Sequence, residues 1–159
     1  MKSKPILQVK VNLPMKFVSG NQMGSNGSRR FRPKEYHEYK AYLTQSILDV
    51  MDEVKPTITD GVPYYLREVY YYPIPKTLIS TKAKLKLFQD GLVYPATRGT
   101  LDLDNTAKPT HDALQDALLI DDAQLVTVSA SKRYHDSDYY TYVFELYEIE
   151  AVTEIEWYD

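Results

Sequence analysis

From Leu7 to Leu13, apolar Leu7, Val9, Val11 and Leu13 alternate with Gln8, Lys10 and Asn12, the period-two pattern of a strand with one buried face. Pro14 ends it. The stretch from Ser19 to Ser28 is dominated by Ser, Gly and Asn without an apolar period and reads as a loop. It runs into the basic residues Arg29, Arg30, Arg32 and Lys34. Tyr36, Tyr39, Leu43, Ile47, Val50 and Met51 then recur at helical spacing, with Pro33 where a first-turn proline is tolerated. Tyr64 to Tyr72, bracketed by Pro63 and Pro73, predicts a strand. A short helix follows from about Thr81 to Asp90, capped by Ser80 or Thr81 and closed by Gly91. A second main helix runs to about Leu118, with Ala107, Leu114, Ala117 and Leu118 on one face. Leu125 to Tyr134 and Tyr139 to Glu148 alternate again, and His135-Asp136-Ser137-Asp138 between them reads as a hairpin connection.

This order predicts an α+β fold, a small mixed β-sheet with helices packed on one face. At 159 residues and 43% hydrophobic content the chain suits one core, so residues 1–159 are expected to form a single domain. There is no cysteine, which removes disulfides and cysteine-held zinc and leaves oxygen or histidine as ligands for any metal. Met1-Lys2-Ser3-Lys4-Pro5 leads into an alternating segment, and no stretch approaches the roughly 20 apolar residues of a membrane span. A cytoplasmic protein with no membrane partner is expected.

A net charge of -3 looks wrong for a nucleic-acid binder. The acids are unevenly placed, however. Residues 145–159 hold Glu145, Glu148, Glu150, Glu154, Glu156 and Asp159 and no Lys or Arg, so the other 144 residues carry 19 basic against 16 acidic groups. The acidic C-terminal segment is either functional or a solvated edge.

The most informative segment is Asp102-Leu103-Asp104-Asn105, followed by Lys108 and then Asp121-Asp122. In extended chain, residues two apart point the same way, so Asp102 and Asp104 present their carboxylates together. Asp121 and Asp122 come after a helix that reverses the chain, and convergence with the first pair is expected. Four clustered carboxylates repel one another unless a cation is present, and Mg2+ takes one or two carboxylates while leaving positions for water and phosphate oxygens. Each pair taken alone reads equally well as cap or turn residues.

Over Tyr94 to Tyr134 the chain resembles the RusA family of Holliday junction resolvases. Asp102-Leu103-Asp104-Asn105, Lys108, Asp112-Ala113-Leu114, Asp121-Asp122-Ala123-Gln124 and Ser131-Lys132-Arg133-Tyr134 carry the likeness, and Arg29 to Tyr39 resembles the family's basic N-terminal segment more loosely. The resemblance implies that Asp102, Asp104 and Asp122 are metal-binding catalytic carboxylates and that Lys108 is a catalytic lysine. Asp121, Asp112 and Asn105 would support them, and Asp112 would either hold Lys108 or pair with it on the surface. The resemblance further implies Mg2+, with Mn2+ as a substitute, and a homodimer acting on four-way DNA in recombination and repair, in a phage or prophage setting. Arg29, Arg30, Arg32 and Lys34 would contact DNA. Pro109 departs from a simple helix, so the helix is expected to begin near Asn105 or Thr106, with Pro109 in its first turn.

Two other readings compete. Asp102-Leu103-Asp104-Asn105-Thr106 also looks like the nucleophile motif of haloacid-dehalogenase-like phosphatases, but that motif ends a buried parallel strand early in a doubly wound fold. Here a loop precedes it and only 55 residues follow Asp104. The other is a non-catalytic DNA-binding recombination module, using the Arg29 to Lys34 run and Lys76, Lys82, Lys84 and Lys86. His37, His111 and His135 show no shared ligand spacing and read as surface or core residues, and the tyrosines read as strand and core material.

Overall fold

The alternation at the start of the chain is realised as β1, Leu7–Leu13, whose four apolar residues are buried while the polar residues between them are exposed. The structure, a computed structural model, describes residues 4–21, 24–26 and 29–149, with side chains outside 22–31. Within the segment read as a loop, Gly24–Asn26 (β2) and Arg29–Phe31 (β3) pair as a small antiparallel ribbon. Backbone pairing needs no side-chain period, which is why the pattern of residues did not reveal it.

Helix α1 spans Lys34–Val54 and buries Tyr36, Tyr39, Leu43 and Ile47. Strand β4 is Tyr64–Pro73, and a 3-10 turn at Lys76–Ile79 leads to α2, Lys82–Gln89. Thr81 caps α2 by accepting from the Lys84 amide at 3.2 Å, and Gly91 takes a left-handed φ of 74° just past its end, as anticipated. Helix α3 is Leu103–Leu118, and after a short 3-10 turn at Asp122–Gln124 come β5, Leu125–His135, and β6, Tyr140–Glu148.

The sheet order is β1-β6-β4-β5, with β4 and β5 parallel and the other neighbours antiparallel. The fold is therefore α+β with a mixed sheet, as expected. The segment between β5 and β6 does reverse the chain, but the two strands do not pair, because β4 lies between them. One sheet face carries Leu7, Val9, Leu66, Tyr70, Tyr142, Phe144 and Leu146, packed against Tyr39, Leu43 and Ile47 of α1 and Ala113, Leu114 and Ala117 of α3. Tyr64, Tyr70 and Tyr142 are wholly buried in this core, and Tyr72 nearly so. The rest of the acidic C-terminal segment beyond 149 lies outside the described residues.

Candidate active site at the N-terminus of helix α3

Helix α3 begins earlier than expected, at Leu103, and Pro109 sits in its seventh position, not its first turn. Proline lacks the N–H that would bond the carbonyl of Asn105. The orphaned carbonyl is served from elsewhere: the Gly20 amide donates to Asn105 O at 2.8 Å. The same glycine lies against Lys108, since a Cβ built on Gly20 would stand 2.8 Å from Lys108 Cβ and 3.1 Å from its Cδ. Only a residue without a side chain lets the loop approach this closely. Arg32 in turn donates to the Gly20 carbonyl and stacks its guanidinium over Tyr36, 4.9 Å from the ring centre. The end of the basic segment is thus tied through one glycine to the helix that carries Lys108.

Asp102 is the N-cap residue of α3, yet its side chain makes no capping bond. Its backbone carbonyl accepts from the Thr106 amide and hydroxyl, both at 3.0 Å. Asp102 and Asp104 are exposed at the positive end of the helix dipole. Lys108 is also exposed and lies one turn beyond Asp104 on the same face, and among the described residues no ion pair joins them. The segment just before Asp102 is held by Lys132 of β5, whose Nζ donates to Leu101 O at 3.0 Å and Thr100 Oγ1 at 3.2 Å. Arg133 lies over Tyr94, 5.2 Å from the ring centre.

The second acidic pair divides. Asp121 is a capping residue: its carboxylate accepts from the Ala123 amide at 3.0 Å while Gln124 accepts from the Asp121 amide at 3.0 Å, a reciprocal capping box. Gln124 also donates to Thr59 O and Val62 O, at 3.0 and 3.1 Å, fixing the loop before β4. Asp122, by contrast, is exposed and makes no side-chain hydrogen bond among the described residues. Asp112 accepts from the Tyr36 hydroxyl and so joins α3 to α1 instead of holding Lys108.

The expected convergence is not seen within one chain. Among the described residues, no three Asp, Glu or His side chains form a group that could hold a metal ion. Asp102 and Asp104 stand at one end of α3 and Asp122 beyond the other. Of the basic segment, Arg29 and Arg30 lie in β3 but their side chains are outside the described set, and Lys34 is exposed and paired with Glu38 at 3.4 Å.

Residue patterns gave no signal for a buried polar cluster behind the site. Glu68 on β4 is 1% exposed, and His111 Nε2 donates to its two carboxylate oxygens at 2.7 and 3.0 Å. Tyr70 also donates to Glu68, and Tyr142 reaches it at 3.4 Å. Burial alone would lower the His111 pKa, but the hydrogen bond and charge of Glu68, helped by Asp122 and Asp112, outweigh it and raise the pKa above 6.5. Tyr39 and Thr110 share a further buried bond at 2.6 Å. A lone histidine in a helix and a glutamate in a strand carry no spacing that announces this pairing.

The architecture defines a class. It is an α+β domain with one helix-covered mixed sheet and an acid-bearing helix N-terminus, unlike the doubly wound parallel sheet that a phosphatase nucleophile motif requires: here that motif opens a helix, and one strand pair alone is parallel in the four-stranded sheet. The chain belongs to the RusA endodeoxyribonuclease family, whose model matches residues 15–143. It is also similar to the uncharacterized protein YqaN of Bacillus subtilis strain 168, 33% identical over 96 residues, which is 60% of this chain and 66% of that protein. The match thus spans just under two thirds of that relative's length. No described helix is long and apolar enough to cross a membrane.

Proposed function

We propose that this chain, as one domain of residues 1–159, cuts four-way DNA junctions by hydrolysing phosphodiester bonds, acting as a symmetric dimer in recombination and repair. The observation that carries this reading is the exposed set Asp102, Asp104 and Lys108 around the start of α3, with Asp102 left uncapped, in a chain of an endodeoxyribonuclease family. In the reaction water adds to phosphorus, one ester P–O bond breaks, and the leaving oxygen takes up a proton. Lys108 places a positive charge beside the phosphate oxygens where negative charge builds up. Its aim is set by Gly20 packed against its stem. Arg29, Arg30, Arg32 and Lys34 neutralise backbone phosphates and orient the DNA.

Carboxylates repel phosphate, so a divalent cation, Mg2+ or in its place Mn2+, belongs to this reading. Asp102 and Asp104 supply two oxygen ligands from one chain, within the one or two carboxylates that Mg2+ takes, and among the described residues no third Asp, Glu or His side chain joins them. Family membership supports a phage or prophage role in recombination.

The test is incubation with a synthetic four-way junction and a matched linear duplex, each with and without Mg2+. Paired nicks in the junction, dependent on Mg2+ and weak or absent in the duplex, are expected. Tight junction binding that leaves the DNA intact with Mg2+ present would instead make the chain a DNA-binding module.

A further inference from the structure

Between β4 and α3 the chain forms an arm made of the 3-10 turn Lys76–Ile79, helix α2 and the segment that follows it to Tyr94. Both ends of the arm are fastened to the last residues of β5. Where it departs, the Ile74 amide donates to His135 O at 3.0 Å. Where it returns, Arg133 lies over Tyr94, and Lys132 donates to Thr100 and Leu101. Asp102 is the next residue. The arm therefore springs from the end of the sheet at which α3 begins, beside Asp102 and Asp104.

Between these anchors α2 packs against the 3-10 turn before it and buries none of its own residues. Leu85, Leu87, Leu92 and Tyr94 are 36%, 47%, 60% and 50% exposed. A helix of eight residues is too short to be stable alone in water, and apolar side chains left on its surface do not hold it in place. Such a group of exposed apolar residues marks a surface that a partner covers.

The charge of the arm identifies the partner. Residues 74–94 hold Lys76, Lys82, Lys84 and Lys86 against a single acid, Asp90, in a chain whose net charge is -3. Lys82 and Lys86 stand one turn apart on the same side of α2. Lys86 shares an exposed pair with Asp90 at 3.4 Å, a weak contact that a phosphate can replace. Lys76 and Lys82 have no ion pair among the described residues. Lysines with aliphatic flanks suit DNA, where the ammonium groups meet phosphates and the leucines lie against sugars and base edges in a groove.

We propose that the arm of residues 74–94 is a DNA clamp that grips the junction arm next to the cut, with Lys76, Lys82 and Lys86 on backbone phosphates. It adds affinity and fixes the DNA relative to Asp102 and Asp104, and it takes no part in breaking the bond. This rests on the reading of the chain as a junction endonuclease.

The first test replaces Lys76, Lys82 and Lys86 together with Gln and measures junction binding against salt without Mg2+. All three are exposed and lie outside the core, so the variant should melt with the wild type. Each lost phosphate contact removes about 0.9 of a unit of slope, so a dependence shallower by two to three units and a Kd raised about tenfold are expected. The same three positions changed to Arg should restore both. Cleavage with Mg2+ at saturating protein should stay within about twofold of wild type, since the clamp acts on binding. A stable Gln variant with the wild-type slope and Kd overturns the proposal. Failure of the wild type itself to bind the junction would instead overturn the endonuclease reading.

The second test leaves the lysines in place. The chain has no cysteine, so Gln89→Cys at the exposed end of α2 adds its one thiol, which is labelled with azidophenacyl bromide. Irradiation on a four-way junction should crosslink the arm to DNA within about one helical turn of the cut. A crosslink to protein in place of DNA, or to neither, overturns the clamp.

Discussion

Replacing His111 with Ala leaves the Glu68 carboxylate 1% exposed and without its cationic partner. Removing one member of a buried ion pair costs about 3–5 kcal/mol. The lower end applies here, because the Tyr70 and Tyr142 hydroxyls remain as donors and the His111 side chain is 18% exposed in the native state. The expected loss is about 3 kcal/mol, which for a domain of this size lowers Tm by about 6–12 °C. The His111 pKa is raised on folding, so the stabilisation is fully present below about pH 6.5 and fades as pH rises through the raised value. The gap between wild type and His111→Ala should therefore be wider at pH 6 than at pH 9. Urea denaturation at both pH values measures it. A double variant, Glu68→Leu with His111→Leu, removes charge and partner together and should be less destabilised than His111→Ala. A His111→Ala loss below about 1 kcal/mol, or a double variant as unstable as the sum of the singles, would refute the role of Glu68 as a buried carboxylate held by His111.

Three further outcomes are expected. Gly20→Ala forces its new Cβ against Lys108 Cβ, 2.8 Å away, and should cost about 1–3 kcal/mol of stability and lower cleavage further than the loss of folded protein accounts for, read by melts and single-turnover rates on the same sample. Asp121→Ala loses a cap, so about 1 kcal/mol of stability should go while cleavage per folded molecule stays near wild type. Arg30→Ala should weaken junction binding and make its dependence on salt shallower by about one unit of slope, and an unchanged slope in a binding titration would place Arg30 away from the DNA.

The elements that the residue pattern revealed are those whose stability is local. Leu7 to Leu13 alternates because one face of β1 meets the core, and the helical repeat of Tyr36, Tyr39, Leu43 and Ile47 follows from the same cause on α1. The Thr81 cap and Gly91 are likewise local chemistry. Pattern and structure differ where distant residues intervene. The pattern places Pro109 in the first turn because a proline further in strands a carbonyl, and the donor that rescues Asn105 is Gly20 in a different part of the chain. The alternation in β5 and β6 predicts a hairpin, but β4 enters between them from earlier in the sequence. Glu68 and His111 lie 43 residues apart, and neither has a neighbour in sequence that marks it. Of the acidic motif, Asp102 and Asp104 were legible as a pair sharing one region; that Asp121 is a cap whereas Asp122 is not becomes visible only from the hydrogen bonds.

The most direct measurement compares wild type, Asp104→Asn and Asp122→Asn on the same four-way junction, with protein concentrations set so that the bound fraction is equal by gel shift. Metal-binding carboxylates that repel one another and the DNA when no ion is present are dispensable for folding and binding. Both variants should therefore melt within about 1 kcal/mol of wild type, bind the junction as well or slightly better without metal, and show no Mg2+-dependent cleavage. A variant as stable as wild type that still cuts junctions at near-normal rate would remove its aspartate from the site, and the same outcome at Asp102 as well would contradict the account of this chain as a carboxylate-dependent junction endonuclease.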